Sequence, residues 1–159
     1  MQDPAEEYED VARRIAELAQ AKGLTVGCAE SLTSGAIAIA IGAAPEASEW
    51  FRGGVVAYSE AVKRGVLGVN ARKLTSATCA RQMAGGAAAV LMAGATVAVT
   101  GVGGPGPADG EPAGTVFIAA TVRGRVIERH HVFDGEPAHV VHATVGAALE
   151  LLAQALDEA

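Results

Sequence analysis

Ser31 and Lys63 are the residues in this sequence from which chemistry is most readily built. Ser31 lies in Ala29-Glu30-Ser31-Leu32-Thr33-Ser34-Gly35, between the apolar run Leu24 to Ala29 and the small apolar run Ala36 to Ile41. That pattern predicts a strand, a tight polar turn and the first turn of a helix. It puts a hydroxyl at a strand end, beside a helix N-terminus whose free N–H groups attract negative charge. A serine hydroxyl is a weak nucleophile and needs a neighbouring base. No histidine lies near the early strands, and Lys63, one of three lysines, is the natural substitute. Its reference pKa of about 10.4 means that it must be partly desolvated to work near neutrality. If the strands ending at Ala29 and Tyr58 are neighbours, Ser31 and Lys63 meet at the carboxyl edge of the sheet, where open α/β sheets bind ligands. A surface lysine and an N-capping serine would give the same spacing.

Gly101-Val102-Gly103-Gly104-Pro105-Gly106 matches the letter of a dinucleotide-binding fingerprint. That fingerprint needs a helix to start in the loop, and Pro105, Pro107, Gly110 and Pro112 prevent one. What is left is a rigid loop with few side chains at a strand end, which lets a ligand approach the backbone. His139 and His142 share a helix face, whereas His130 and His131 point to opposite faces of a strand, so no metal site is expected. Cys28 and Cys79 have neither metal nor disulfide spacing and read as reduced core residues.

Elements that would position these groups follow in order. Helices are predicted over 5–21, 34–43 and 77–92, with a helical turn over 46–51 and a short helix after an N-capping Ser59, through Leu67. Strands are predicted over 24–29, 53–58 and 95–101, then 115–123 and 125–133 as a hairpin about Gly124. A last helix starts at Gly135-Glu136-Pro137 and runs to Leu156. This order gives an α/β layer fold with a mixed sheet, parallel early and antiparallel late.

At 159 residues the chain is expected to form one domain, and with 50% hydrophobic and 4% aromatic residues its core should be built from small side chains. A net charge of −6 with no basic run disfavours nucleic acid and anionic membrane as partners. The N-terminus lacks a secretory h-region, and the apolar runs, broken by Gly, Thr or Pro, fall short of a membrane span, so a cytoplasmic protein is expected. The Ala/Gly-rich helices could pack against a second chain as easily as within one, and a homo-oligomer is expected.

Three blocks resemble the CinA C-terminal domain family, the nicotinamide-mononucleotide amidases. The family's A-E-S-C-T-G-G stands here as residues 29–35. Its F-x-x-G-x-V-x-Y-S-N-x-x-K stands as Phe51 to Lys63, and its T/S-G-I-A-G-P as Thr100 to Pro105, with Pro112-Ala113-Gly114-Thr115-Val116 after it. The resemblance covers nearly the whole chain. It implies a three-layer α/β/α sandwich with a mixed, mostly parallel sheet. The activity it implies is hydrolysis of the carboxamide of nicotinamide mononucleotide to nicotinate mononucleotide and ammonia, with no cofactor. Ser31 matches the nucleophile and Lys63 the base, while Tyr58 and Thr100 match polar residues lining the site. Glu30, Leu32, Thr33, Ser34 and Gly35, with Gly101, Gly103 and Gly104, are the expected substrate-binding set, and N–H groups over 32–35 the expected oxyanion donors.

Departures from the family pattern bear on substrate choice. Leu32 and Ser34 replace a cysteine and a glycine, and a side chain at position 34 demands a different turn or crowds a ligand. Glu60 replaces an asparagine three residues before Lys63, where a close negative charge would raise the lysine pKa. The late block F-x-G-D-R-x-x-V-R appears as Phe133 to Val141 with Pro137 and Val141 in place of both arginines. An arginine there would suit a phosphate. Two alternatives follow: a homologue that kept the pocket as a binder or scaffold without turnover, and a serine amidase for another small amide.

Overall fold

The computed structural model describes residues 3–159. In chain order the elements are α1 (Pro4–Glu7), α2 (Glu9–Lys22), β1 (Val26–Glu30), α3 (Ala36–Gly42), α4 (Ala47–Trp50), β2 (Phe51–Val56), α5 (Glu60–Gly65), α6 (Ala77–Leu91), β3 (Ala95–Gly101), β4 (Thr115–Val122), β5 (Arg125–Val132) and α7 (Pro137–Asp157). Five strands make one sheet in the order β2-β1-β3-β4-β5. β1 pairs in parallel with β2 and β3, and β4 runs antiparallel to both β3 and β5. Four strands therefore share one direction and β4 alone opposes them, although the pairings divide evenly between the two kinds.

Helices cover both faces of the sheet. Alternation along the strands sends Val26, Cys28, Val97, Val99, Val116 and Ile118 into a core shared with α2, α3 and α7. The other parity, Ala29, Ala98 and Ala119, faces α6 through Ala80, Met83, Ala84 and Ala87. Alanine on both sides of that second interface is what lets α6 lie close to the sheet, as the low aromatic content anticipates. α6 also lies against the backbone that follows α5: at Gly86 a Cβ would sit 2.1 Å from the Leu67 carbonyl oxygen.

Three expectations need correction. The helix anticipated over 5–21 is two helices, because Tyr8 leaves helical geometry (φ −107°, ψ 15°) and turns inward. Its hydroxyl donates to the His142 carbonyl at 2.8 Å, a tertiary bond that no local pattern reveals. The helix after Ser31 begins at Ala36, not Ser34, since Ser34 and Gly35 both adopt left-handed backbone. Finally, α7 is long and apolar enough to cross a membrane by length and composition, contrary to the reading of the apolar runs. Its Val140, Val145, Leu149, Leu152 and Leu156 are buried in the core on the sheet, which accounts for its apolar character.

Candidate active site

Strand pairing places the two key residues. Glu30, the last residue of β1, is in register with Val56, the last of β2. The chain then turns outward at Ser31 on one strand and at Ala57-Tyr58 on the next. Ser59 caps α5 by accepting the Val62 N–H at 3.2 Å, and this aims Lys63 back toward the sheet edge. Lys63 Nζ lies 2.9 Å from Ser31 Oγ and 2.9 Å from the Tyr58 carbonyl oxygen. Only 4% of Lys63 is exposed. Burial lowers its pKa, and the nearby Cys79 and Glu60, which favour the charged form, do not overcome that effect. Glu60 acts in the expected direction, but its carboxylate is bonded to Arg64 at 2.9 Å.

Alternation along β1 separates two tasks. Ser31 turns toward Lys63, and Glu30 turns to the opposite face, toward α3. The Glu30 side chain is fully buried and accepts from Thr33 Oγ1 at 2.6 Å, Ile37 N at 2.9 Å and Ala38 N at 3.0 Å. This overturns two expectations. The N–H groups at the start of α3 are not free for a ligand, because Glu30 already takes them, and Glu30 and Thr33 brace the turn instead of lining the cavity. Burial beside this carboxylate also pushes the Cys28 thiol up.

A cavity of about 340 Å³ opens over the pair. Ser31, Leu32, Tyr58, Lys63, Thr100, Gly101, Gly103 and Gly104, all named above as candidate site residues, line it. Tyr58 contributes differently from its anticipated role: the residue is 69% exposed, and its backbone carbonyl holds Lys63. Thr100 Oγ1 donates to the Leu74 carbonyl at 2.9 Å. Ser34 and Gly35 are not among the lining residues; Ser34 resolves the crowding anticipated at this position by taking φ 52° and facing solvent. Its N–H is committed to the Ser31 carbonyl at 3.1 Å. The N–H of Leu32 has no protein partner among the described residues.

Four lining residues were missed from the sequence: Leu74, Thr75, Pro137 and Val141. The last two were marked only as departures from a motif, and it is the docking of α7 that brings them to the cavity. The glycine loop is held against β4 by close packing at Gly101, where a Cβ would lie 2.4 Å from the Thr115 carbonyl oxygen. Its outer part is tied down by Asp109, which accepts the Thr75 N–H at 2.8 Å, and by a Lys73–Glu111 ion pair. The histidines lie elsewhere: His130 stacks on Phe117 and His131 on Phe133, while His142 Nδ1 is 3.0 Å from Glu7.

This architecture has close counterparts. A crystal structure of a CinA superfamily protein from Klebsiella pneumoniae superposes with a TM-score of 0.89 at 32% identity, covering 99% of this chain and all of that one. The competence/damage inducible protein CihA from Agrobacterium tumefaciens gives a TM-score of 0.86 at 37% identity, covering 99% of this chain and 98% of that one. A Desulforamulus reducens relative named as a competence-damage inducible protein is 38% identical over 152 residues, 92% of this chain. The chain spans only 37% of that relative's length. The sequence profile of the CinA C-terminal domain matches residues 8–156, and the chain belongs to that family.

Proposed function

We propose that the protein is a serine amidohydrolase that releases ammonia from the carboxamide of nicotinamide mononucleotide, leaving nicotinate mononucleotide. The observation that carries this reading is the 2.9 Å contact between a buried Lys63 Nζ and Ser31 Oγ at the floor of a ligand-sized cavity. A lysine whose charged form burial disfavours is a better base for a serine hydroxyl than an exposed one. In the scheme, neutral Lys63 takes the Ser31 proton and Oγ attacks the amide carbon. The Leu32 N–H, at the cavity wall, is the candidate donor to the developing oxyanion. Lys63 then passes its proton to the leaving nitrogen, and ammonia departs from a nicotinoyl ester on Ser31. Lys63 next takes a proton from water, whose oxygen attacks the ester carbon, and returns that proton to Ser31 Oγ as the ester C–O bond breaks, leaving the carboxylic acid, free Ser31 and neutral Lys63.

Ammonia release from the mononucleotide, followed for the wild type, Ser31→Ala and Lys63→Ala, tests this reading. Turnover by the wild type and its loss in both variants are expected. Undiminished turnover in either variant would overturn the dyad, and wild-type binding of the mononucleotide without ammonia release would make the protein a binder.

A further inference from the structure

We propose, resting on the amidase reading above, that the cavity selects the carboxamide-bearing pyridinium ring and leaves a phosphate unread, so that a phosphate-free N-ribosyl pyridine carboxamide is at least as good a substrate as its phosphate ester. The cavity wall carries one charged side chain, Lys63. Its Nζ is already engaged by Ser31 Oγ and the Tyr58 carbonyl, and burial disfavours its charge. The wall supplied by α7 is Pro137 and Val141, with Leu32 and Leu74 adding further apolar surface. None of these four side chains can donate a hydrogen bond, and Pro137 has no N–H either.

Two of the polar groups around the cavity are spent, and those left apart from Lys63, among them the Tyr58 and Thr75 hydroxyls, are neutral. The Thr100 hydroxyl donates to Leu74, and the Thr75 N–H is taken by Asp109. Two nearby cations are paired with acids: Arg64 with Glu60, and Lys73 with Glu111. A phosphate dianion is ordinarily held by a guanidinium fork, an ammonium or a set of helix N-terminal N–H groups. Among the described residues no free cation lines the wall, Glu30 occupies the N–H groups of α3, and α7 meets the cavity through Pro137, which has no N–H, and Val141, with Ala138 and His139 outside the lining. The backbone of Gly103 and Gly104 offers neutral donors that serve a ribose hydroxyl as readily as a phosphate.

Net charge points the same way. An N-ribosyl pyridine carboxamide carries a permanent positive charge on its ring, and a 5′-phosphate makes the whole ligand anionic. Asp109, which accepts the Thr75 N–H, stands behind the wall, on a protein of net charge −6. That field favours the cationic ligand and opposes the anionic one.

Two measurements at low ionic strength test the proposal. One is kcat/KM for ammonia release by the wild type from nicotinamide riboside and from nicotinamide mononucleotide. The other is the calorimetric Kd of both ligands for Ser31→Ala, which cannot turn them over. The riboside is expected to equal or exceed the mononucleotide in both, to within about threefold at worst. A preference for the mononucleotide of about tenfold or more, the scale of one charged phosphate contact, would overturn the proposal. So would failure of Ser31→Ala to bind either ligand. Equal binding of both without ammonia from either would overturn the amidase reading and support the unread phosphate. Ammonia from the mononucleotide alone would do the reverse.

Discussion

Glu30 Oε1 accepts the backbone N–H of Ile37 at 2.9 Å, so the residue immediately before Ser31 is fastened to the helix that follows it. The same carboxylate takes Thr33 Oγ1 and Ala38 N and, with no cation among the described residues bonded to it, is fully buried. It closes a loop around the serine from behind, so the position of Oγ depends on a side chain that never meets the cavity.

Glu30→Gln tests that dependence. An amide keeps one acceptor oxygen and sets an NH₂ group against a backbone donor. The substitution is expected to cost about 2 kcal/mol of stability, the scale for hydrogen bonds to a buried charge. It should also lower kcat for ammonia release. Thermal denaturation and steady-state kinetics read the two effects, and wild-type values for both would remove Glu30 from any positioning role.

Lys63 links activity to pH. Its folded pKa lies below the ordinary 10.5, so kcat/KM should rise with pH along a limb whose midpoint is below that value. Between the folded and unfolded pKa values the unfolded chain binds the extra proton, so stability also rises with pH across that window. Lys63→Met should flatten this rise and lift the neutral-pH Tm by about 2–4 °C while abolishing turnover. A Tm–pH profile parallel to that of the wild type would place the perturbed group elsewhere.

Tyr58→Phe should keep kcat within about threefold of wild type, because Lys63 is held by the backbone carbonyl and not by the phenol. A loss of about tenfold or more would put the hydroxyl back among the reacting groups.

Adjacent glycines on α6 make a paired stability test. A Cβ at Gly85 meets nothing within 4 Å, whereas one at Gly86 would overlap the Leu67 backbone, with its nearest atom at 2.1 Å. Gly85→Ala should therefore stabilise by about 0.5–1 kcal/mol through helix propensity. Gly86→Ala should destabilise by more than about 2 kcal/mol by forcing α6 away from the Leu67 backbone. Chemical denaturation of both variants measures the contrast, and equal effects would contradict the packing at Leu67.

Much of this was legible before any coordinates. β3 begins and ends where its apolar run does, at Ala95 and Gly101. The hairpin about Gly124 and the Ser59 cap were readable because turn and cap chemistry is local. The juxtaposition of Ser31 and Lys63 needed one further inference, that β1 and β2 are neighbours, and the strand order bears it out. Long-range docking was invisible. The break at Tyr8 depends on His142, and the cavity wall at Pro137 and Val141 depends on where α7 comes to rest. Glu30 was misassigned for a different reason. A glutamate beside a nucleophile looks like chemistry, and only strand alternation, which sends it to the face opposite Ser31, reveals a brace.

The parallel pairing of β1 with β2 has an evolutionary reading. The hydroxyl and the amine lie 32 residues apart, on one strand–helix–strand excursion that carries its own brace, cap and carbonyl anchor. Pro137 and Val141 come from the far end of the chain. If the proposed reaction holds, chemistry and selectivity are inherited on separate segments, and drift in the last helix would retarget the enzyme without disturbing the Ser31–Lys63 pair.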